Sequence, residues 1–184
     1  EIISLPFNLG SGGVVQKGFI YAVENDYDIA LQVDGDGQHD PSFIPALVDP
    51  LVRGETDIAL GSRFIGPYTG YRSSFVRRIG IHFFAWLISS LTGYAVTDST
   101  SGFRAFNKKA IRVFAECYPT DFPEPESIVI AKRYGLRLKE IPVEMRKRLI
   151  GHSSIRYLRT LQYMIKVTLA ILLNQLKAKK GMTP

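Results

Sequence analysis

The feature that most constrains this chain is a pair of short apolar runs that stop abruptly on charged or polar residues. Asp28-Ile29-Ala30-Leu31-Gln32-Val33 ends on Asp34, and Asp57-Ile58-Ala59-Leu60-Gly61 ends on Ser62-Arg63. Runs this short and this apolar suit strands buried on both faces of a sheet. A helical pattern precedes each of them. Gly10-Ser11-Gly12-Gly13 opens a stretch in which Val14, Val15, Gly18, Phe19, Ala22 and Val23 recur at helical spacing, and Asp40-Pro41-Ser42 puts proline near the first turn of a helix running to Arg53. Helix and strand in alternation predict an α/β fold with a mainly parallel sheet. Ligands collect at the carboxyl ends of such strands, so Asp34 and Arg63 are predicted to share one functional edge.

Downstream, Ser74 to Thr92 reads as a long apolar helix with Arg72, Arg77 and Arg78 at its start, and Gly102 to Phe106 as a strand. Lys108 to Glu116 and Pro125 to Tyr134 read as helices, Leu136 to Met145 as an alternating strand, and Ser153 to Lys180 as a final helix. In that last helix Leu158, Leu161, Ile165, Leu169, Leu172 and Leu176 form an apolar stripe, with Arg156, Arg159, Lys166 and Lys177 on another face. The 184 residues, 46% hydrophobic and 22% charged, fit one globular domain, residues 1–152, followed by the amphipathic helix and tail, 153–184. A formal charge of +6 calls for an anionic partner. Nucleic acid is disfavoured, since no reader motif with interleaved aromatics is visible. A lone cysteine, Cys117, excludes an intrachain disulfide and suits an intracellular setting. The longest apolar stretch, 79–91, is interrupted by Gly80, His82, Ser89 and Ser90 and falls short of the ~18 apolar residues of a spanning helix.

The chemistry concentrates in Val33-Asp34-Gly35-Asp36-Gly37-Gln38-His39-Asp40-Pro41. Hard divalent cations such as Mg2+ or Mn2+ take oxygen ligands, and Mg2+ is commonly held by one or two carboxylates plus substrate phosphates. Asp34, Asp36 and Gln38 are the candidate ligands. Turns favour Asp and Gly for conformational reasons alone, so a solvated acidic turn stands beside the metal reading. A calcium loop is excluded, because His39 and Pro45 occupy the positions that need Gly and Glu. Asn8-Leu9-Gly10-Ser11-Gly12-Gly13 is either a phosphate-cradling loop or an ordinary turn. Arg63 and Arg148, the latter in the basic segment 146–154, carry guanidinium groups suited to phosphate. His39, His82 and His152 form no metal triad and read as structural or exposed. Glu124 and Glu126 flank a helix start, where the dipole favours carboxylates whether or not either is a base.

Taken together, Asn8-x-Gly10-x-Gly12, Asp34-x-Asp36-x-Gln38-His39-x-Pro41, Gly61-Ser62-Arg63, Asp98-Ser99-Thr100-Ser101-Gly102-Phe103-Arg104, Glu126, Glu140-Ile141-Pro142-Val143 and Arg148-x-x-Gly151-x-Ser153-Ser154 resemble the family-2 glycosyltransferases of GT-A fold, in the branch that makes dolichyl- and polyprenyl-phosphate sugars. The resemblance runs from about Asn8 to Ile155. It implies a metal-dependent, inverting transfer of a sugar from a nucleotide-sugar, UDP- or GDP-linked, to a lipid phosphate or a glycan. Asp34, Asp36 and Gln38 would hold the cation and the donor diphosphate, assisted by Asn8, Gly10, Gly12 and Ser153. Arg63, Arg77 or Arg78, and Arg148 would face phosphates. Asp98, Ser101 and Gly102 would border the sugar pocket, and Glu126 would act as base towards a hydroxyl acceptor.

Family members open with a strand ending in a Pro-x-Tyr-Asn-Glu-like motif, then a helix and a second strand. These are expected upstream of Glu1, so the chain is read as lacking the first βαβ unit. The basic C-terminal helix is expected either to lie peripherally on the cytoplasmic face of a membrane or to pack its apolar stripe on the domain core. The competing reading is a non-catalytic fragment of such an enzyme that binds a membrane or a partner.

Overall fold

The computed structural model describes residues 2–66 and 75–146, together with Lys166, Thr168 and Leu169; of Phe75, Val76 and Arg77 it describes the backbone. In chain order the elements are α1 (Gly10–Glu24), β1 (Ile29–Gln32), a 3-10 turn (Pro41–Phe43) that runs into α2 (Ile44–Val52), β2 (Ile58–Ser62), α3 (Phe75–Thr92), β3 (Arg104–Asn107), α4 (Lys108–Glu116), α5 (Pro123–Arg133) and β4 (Leu138–Pro142). Asp40 caps the 3-10 turn by accepting from the Ser42 N–H at 3.0 Å, and Asn107 caps α4 by accepting from Ala110 at 3.0 Å. Both are side-chain oxygens satisfying N–H groups that a helix start leaves without intrahelical partners.

The four strands form one sheet in the order β1-β3-β2-β4. The expectation of a mainly parallel sheet needs correction, because the sheet is mixed. β3 lies between β1 and β2 and runs antiparallel to both, Leu31 facing Ala105 and Ala59 facing Ala105, while β4 is parallel to β2. The helix–strand alternation holds as far as α3, but residues 93–103 turn the chain so that β3 starts at the edge where β1 and β2 end. That reversal delivers the Asp98–Gly102 segment to the carboxyl ends of β1 and β2. A parallel β3 would have begun at the opposite edge.

Side chains alternate across the sheet as strand geometry requires. Ile58 and Phe106 pack with Phe19 of α1 and Ile111 and Phe114 of α4, Leu60 packs with Phe84 and Ile88 of α3 and Ile128 of α5, and all are buried. On the other face Ala59, Ala105 and Ile141 meet Leu47 and Leu51 of α2. Phe19 is central to the first cluster, with its ring 4.8 Å from Phe106 in an edge-on contact and 5.6 Å from Phe114. No helix among the described residues is long and apolar enough to cross a membrane. The final helix expected over 153–180 lies outside the described residues except for Lys166, Thr168 and Leu169, which are helical, with Lys166 and Leu169 exposed.

Candidate functional site

Asp34 follows β1 directly and stands at the edge where β2 also ends. Its side chain is 48% exposed, and among the described residues its carboxylate accepts no hydrogen bond. The carboxylate hangs over Gly102, where an added Cβ would come within 2.7 Å of Oδ1 and 2.9 Å of Oδ2. Gly102 is thus required by close approach, and it has no positive φ. The Asp34 backbone is fixed from beneath by His39, whose Nδ1 accepts the Asp34 N–H at 3.2 Å and whose ring stacks on Phe103 at 4.7 Å. Burial holds the His39 imidazolium pKa below its ordinary value, against the opposing pull of Asp34 and Asp36. The His39 Nε2 is buried without a hydrogen-bond partner among the described residues and lies 3.8 Å from Asp34 Oδ2. Asp36 turns back on its own loop, Oδ1 accepting from the Gln38 N–H at 3.0 Å. Gln38 is joined to the chain beyond β4, its backbone carbonyl accepting from the Arg146 N–H at 2.8 Å and its side-chain amide donating to the Arg146 carbonyl at 3.2 Å.

Arg63, at the end of β2, is clamped rather than loose. Its Nε and Nη2 donate to the two oxygens of Asp98 at 2.6 and 2.7 Å, Nη2 also donates to Thr100 at 3.0 Å, and the two side chains are 11% and 0% exposed. Such a bidentate fork fixes the plane of the guanidinium. Asp98 is held in turn by Glu140 of β4, whose carboxylate accepts the Thr97 and Asp98 N–H groups at 2.8 and 2.9 Å and the Thr97 hydroxyl at 2.8 Å. Burial raises the Glu140 pKa, and those donors oppose it. The sequence quoted Glu140 within a motif without giving it a task; its signal was a charged residue in the middle of a strand.

Behind Asp34 lies a second buried arrangement centred on Arg104, the first residue of β3. Its guanidinium donates to the carbonyls of Ser101 (2.8 Å), Ser99 (3.3 Å) and Glu124 (3.0 Å) and to the Ser127 hydroxyl (2.7 Å), joining the 99–101 segment to the start of α5. Glu124 has its pKa raised, first by burial and further by the charge of Asp34, against Arg104. The Tyr118 hydroxyl, 3.3 Å from Gln32, is pushed up to about 12 by burial. Glu126 is buried in the first turn of α5.

Asn8 caps locally, its side-chain oxygen accepting the Gly10 N–H at 2.9 Å, and Gly10 adopts φ +71°. Gly12 is packed against backbone, since a Cβ there would sit 2.3 Å from the Pro119 carbonyl oxygen and 2.7 Å from Thr120. Ser101 is buried, its hydroxyl accepting the Phe103 N–H at 3.3 Å. Arg78 is half-buried in the first turn of α3; Arg148 and Ser153 lie outside the described residues. No group of three or more His, Cys, Asp or Glu among the described residues would hold a metal unaided. The chemistry of the donor set nonetheless fits a hard cation, since Asp34 and Asp36 offer carboxylate oxygens and Gln38 an amide oxygen, and the Asp34 carboxylate is open to water.

A sequence model described as glycosyl transferase family 2 matches residues 1–114. The chain is 34% identical over 139 residues to a UDP-N-acetylglucosamine–dolichyl-phosphate N-acetylglucosaminyltransferase of Methanococcus voltae, covering 74% of this chain and 55% of that protein. It is 28% identical over 156 residues to an undecaprenyl-phosphate mannosyltransferase of Micrococcus luteus, covering 79% and 60%. The fold matches that of glucosyl-3-phosphoglycerate synthase from Mycobacterium tuberculosis, crystallised with Mn2+, uridine diphosphate and glucosyl-3-phosphoglycerate, at a TM-score of 0.61 and 20% identity, over 95% of this chain and 56% of that one. The chain thus spans a little over half the length of the relatives it matches.

Proposed function

The chain belongs to glycosyl transferase family 2, and from that premise we propose that it takes part in transferring a sugar from a nucleotide-sugar to a polyprenyl or dolichyl phosphate, with inversion at the anomeric carbon and a divalent cation, Mg2+ or Mn2+, at Asp34, Asp36 and Gln38. The observation that carries the reading is the approach of Asp34 to Gly102, which holds a solvent-open carboxylate at the strand ends beside the Arg63–Asp98 pair. A cation bound there would supply positive charge against the leaving diphosphate. The names of the two relatives carry a dolichyl and an undecaprenyl phosphate, which favours a lipid-phosphate acceptor here.

The residues divide the work as follows. Asp34 and Asp36 orient the donor diphosphate, and Gly102 leaves space for the Asp34 carboxylate. Arg63, its plane set by Asp98, offers positive charge to a phosphate at the same edge, joined by Arg148 and by Arg77 or Arg78. A lipid phosphate is an anion at neutral pH and attacks without a base, whereas a hydroxyl acceptor would need Glu126, or Glu124, to take its proton. Asn8, Gly10, Gly12 and Ser153 serve the donor phosphates, and Ser101 borders the sugar. The basic segment 153–180 adds peripheral contact with a cytoplasmic membrane face.

Isothermal titration of UDP with and without Mn2+, paired with transfer to a short-chain polyprenyl phosphate, tests the assignment. Asp36→Asn is expected to abolish the Mn2+-dependent part of both. Undiminished transfer by that variant would remove the metal role from this loop.

A further inference from the structure

Helix α3 has an inner face that belongs to the core and an outer face that does not behave like a solvated one. Ile81, Phe84, Ala85 and Ile88 are buried, whereas Ile79, Phe83 and Trp86, at i, i+4 and i+7, are 53%, 37% and 64% exposed. That spacing puts the three on one stripe, with the Phe83 and Trp86 rings 6.2 Å apart and His82 exposed beside them. A helix face turned to water ordinarily carries charges of both signs. α3 contains no Asp or Glu, and its charged residues are Arg77 and Arg78 in the first turn, with Arg72 shortly before.

Three side chains are too few for a stable protein interface, which buries about 800 Å² on each partner. They are enough for a shallow seat in a bilayer interface, where tryptophan is favoured and where Arg78, one residue before Ile79, would meet anionic headgroups. The position is also apt. The His82 ring lies 5.2 Å from that of Phe64, the residue after Arg63, so the stripe adjoins the functional edge of the sheet. We propose that the Ile79–Phe83–Trp86 face of α3 docks on an anionic lipid surface and sets the distance between the strand ends and a membrane-borne acceptor phosphate. This rests on the lipid-phosphate reading given above.

Trp86 is the only tryptophan in the chain, so its emission reports this face without any label. The chain is titrated with vesicles of phosphatidylcholine, with and without phosphatidylglycerol and with lipids brominated in the acyl chains. Anionic vesicles are expected to shift the emission to the blue, brominated lipid to quench it, and salt to weaken both. Ile79→Ser, at a position 53% exposed, is expected to lower vesicle affinity about 10-fold, from the loss of one apolar side chain from the lipid seat, in a protein that still unfolds cooperatively in urea. Vesicle binding with unaltered emission would overturn the proposal, as would no binding. So would emission already blue without lipid, which would mean that this chain's own segment or a second copy covers the face. Transfer to a water-soluble short-chain acceptor without any Trp86 response removes the docking surface alone. A Trp86 response without Mn2+–UDP binding or transfer upholds the surface and overturns the enzymatic reading.

Discussion

Gly102→Ala tests how the candidate site is built. The added methyl would sit 2.7 Å from Oδ1, 2.9 Å from Oδ2 and 3.1 Å from Cγ of Asp34, and its other neighbours are farther away. Carbon–oxygen contacts settle at about 3.3–3.6 Å, so the carboxylate must withdraw by roughly 0.6–0.9 Å. It has somewhere to go, because the Asp34 side chain is 48% exposed. Gly102 has no positive φ, so alanine fits its backbone, and alanine also gains about 0.4–1 kcal/mol through the unfolded chain. Stability by urea denaturation is therefore expected to change by less than about 1 kcal/mol. Function should change far more, since a misplacement near 1 Å at a reacting centre can cost about 100-fold. Mn2+-dependent UDP affinity and sugar transfer are expected to fall roughly 10- to 100-fold, read by titration calorimetry and by transfer to a short polyprenyl phosphate. Wild-type affinity and transfer in a folded Gly102→Ala protein would refute the argument that Asp34 acts from the position it occupies above this glycine.

Gly12→Ala should behave in the opposite way: its methyl meets backbone at 2.3–2.7 Å, so overpacking is expected to lower stability by about 1–3 kcal/mol, measured by urea denaturation. Asp98→Asn leaves the nearly buried Arg63 without its carboxylate and is expected to lower the urea-derived stability by about 3 kcal/mol; a loss below about 1 kcal/mol would mean that Arg63 finds water instead. At the far edge of the sheet, burial would raise the Asp57 pKa, but hydrogen bonds from the Arg137 side chain, the Arg137 N–H and Asn107 overcome it and hold the carboxyl at about 2, against 3.8. A depressed pKa stabilises the fold above the unfolded value, and that stability is lost as pH falls from about 4 to 2. The shift of nearly two units caps this at about 2.4 kcal/mol, and the 56% exposure of the Arg137 side chain lowers the expectation to about 1 kcal/mol. Wild-type and Asp57→Asn proteins should therefore differ in urea midpoint at pH 6 and converge near pH 2.

The parts of the molecule legible in the sequence are those fixed by local pattern. The strand ends at Asp34 and Ser62-Arg63 follow from apolar runs that stop, and α3 and α4 follow from apolar spacing and flanking residues. The direction of β3 was not legible, because strand sense is set by where residues 93–103 lead the chain, and nothing local in Gly102–Phe106 encodes it. The two glycines singled out for ligand binding part for the same reason. Gly12 meets the Pro119–Thr120 backbone and Gly102 meets a carboxylate 68 positions earlier in the chain, and neither contact leaves a mark in the neighbouring sequence.

The partners of Arg63 show what this long-range geometry adds. A guanidinium at a strand end reads as a phosphate ligand in isolation. In the fold it is held by Asp98, and Asp98 by Glu140 from β4, with two strands between β4 and β1. Because β3 runs backwards, the segment carrying both Asp98 and Gly102 enters the sheet at the edge where β1 and β2 leave it. One reversed strand thereby fixes the direction of Arg63 and the seat of Asp34 together. The two residues should respond separately to Asp98→Asn and Gly102→Ala, the first mainly in stability and the second mainly in donor binding.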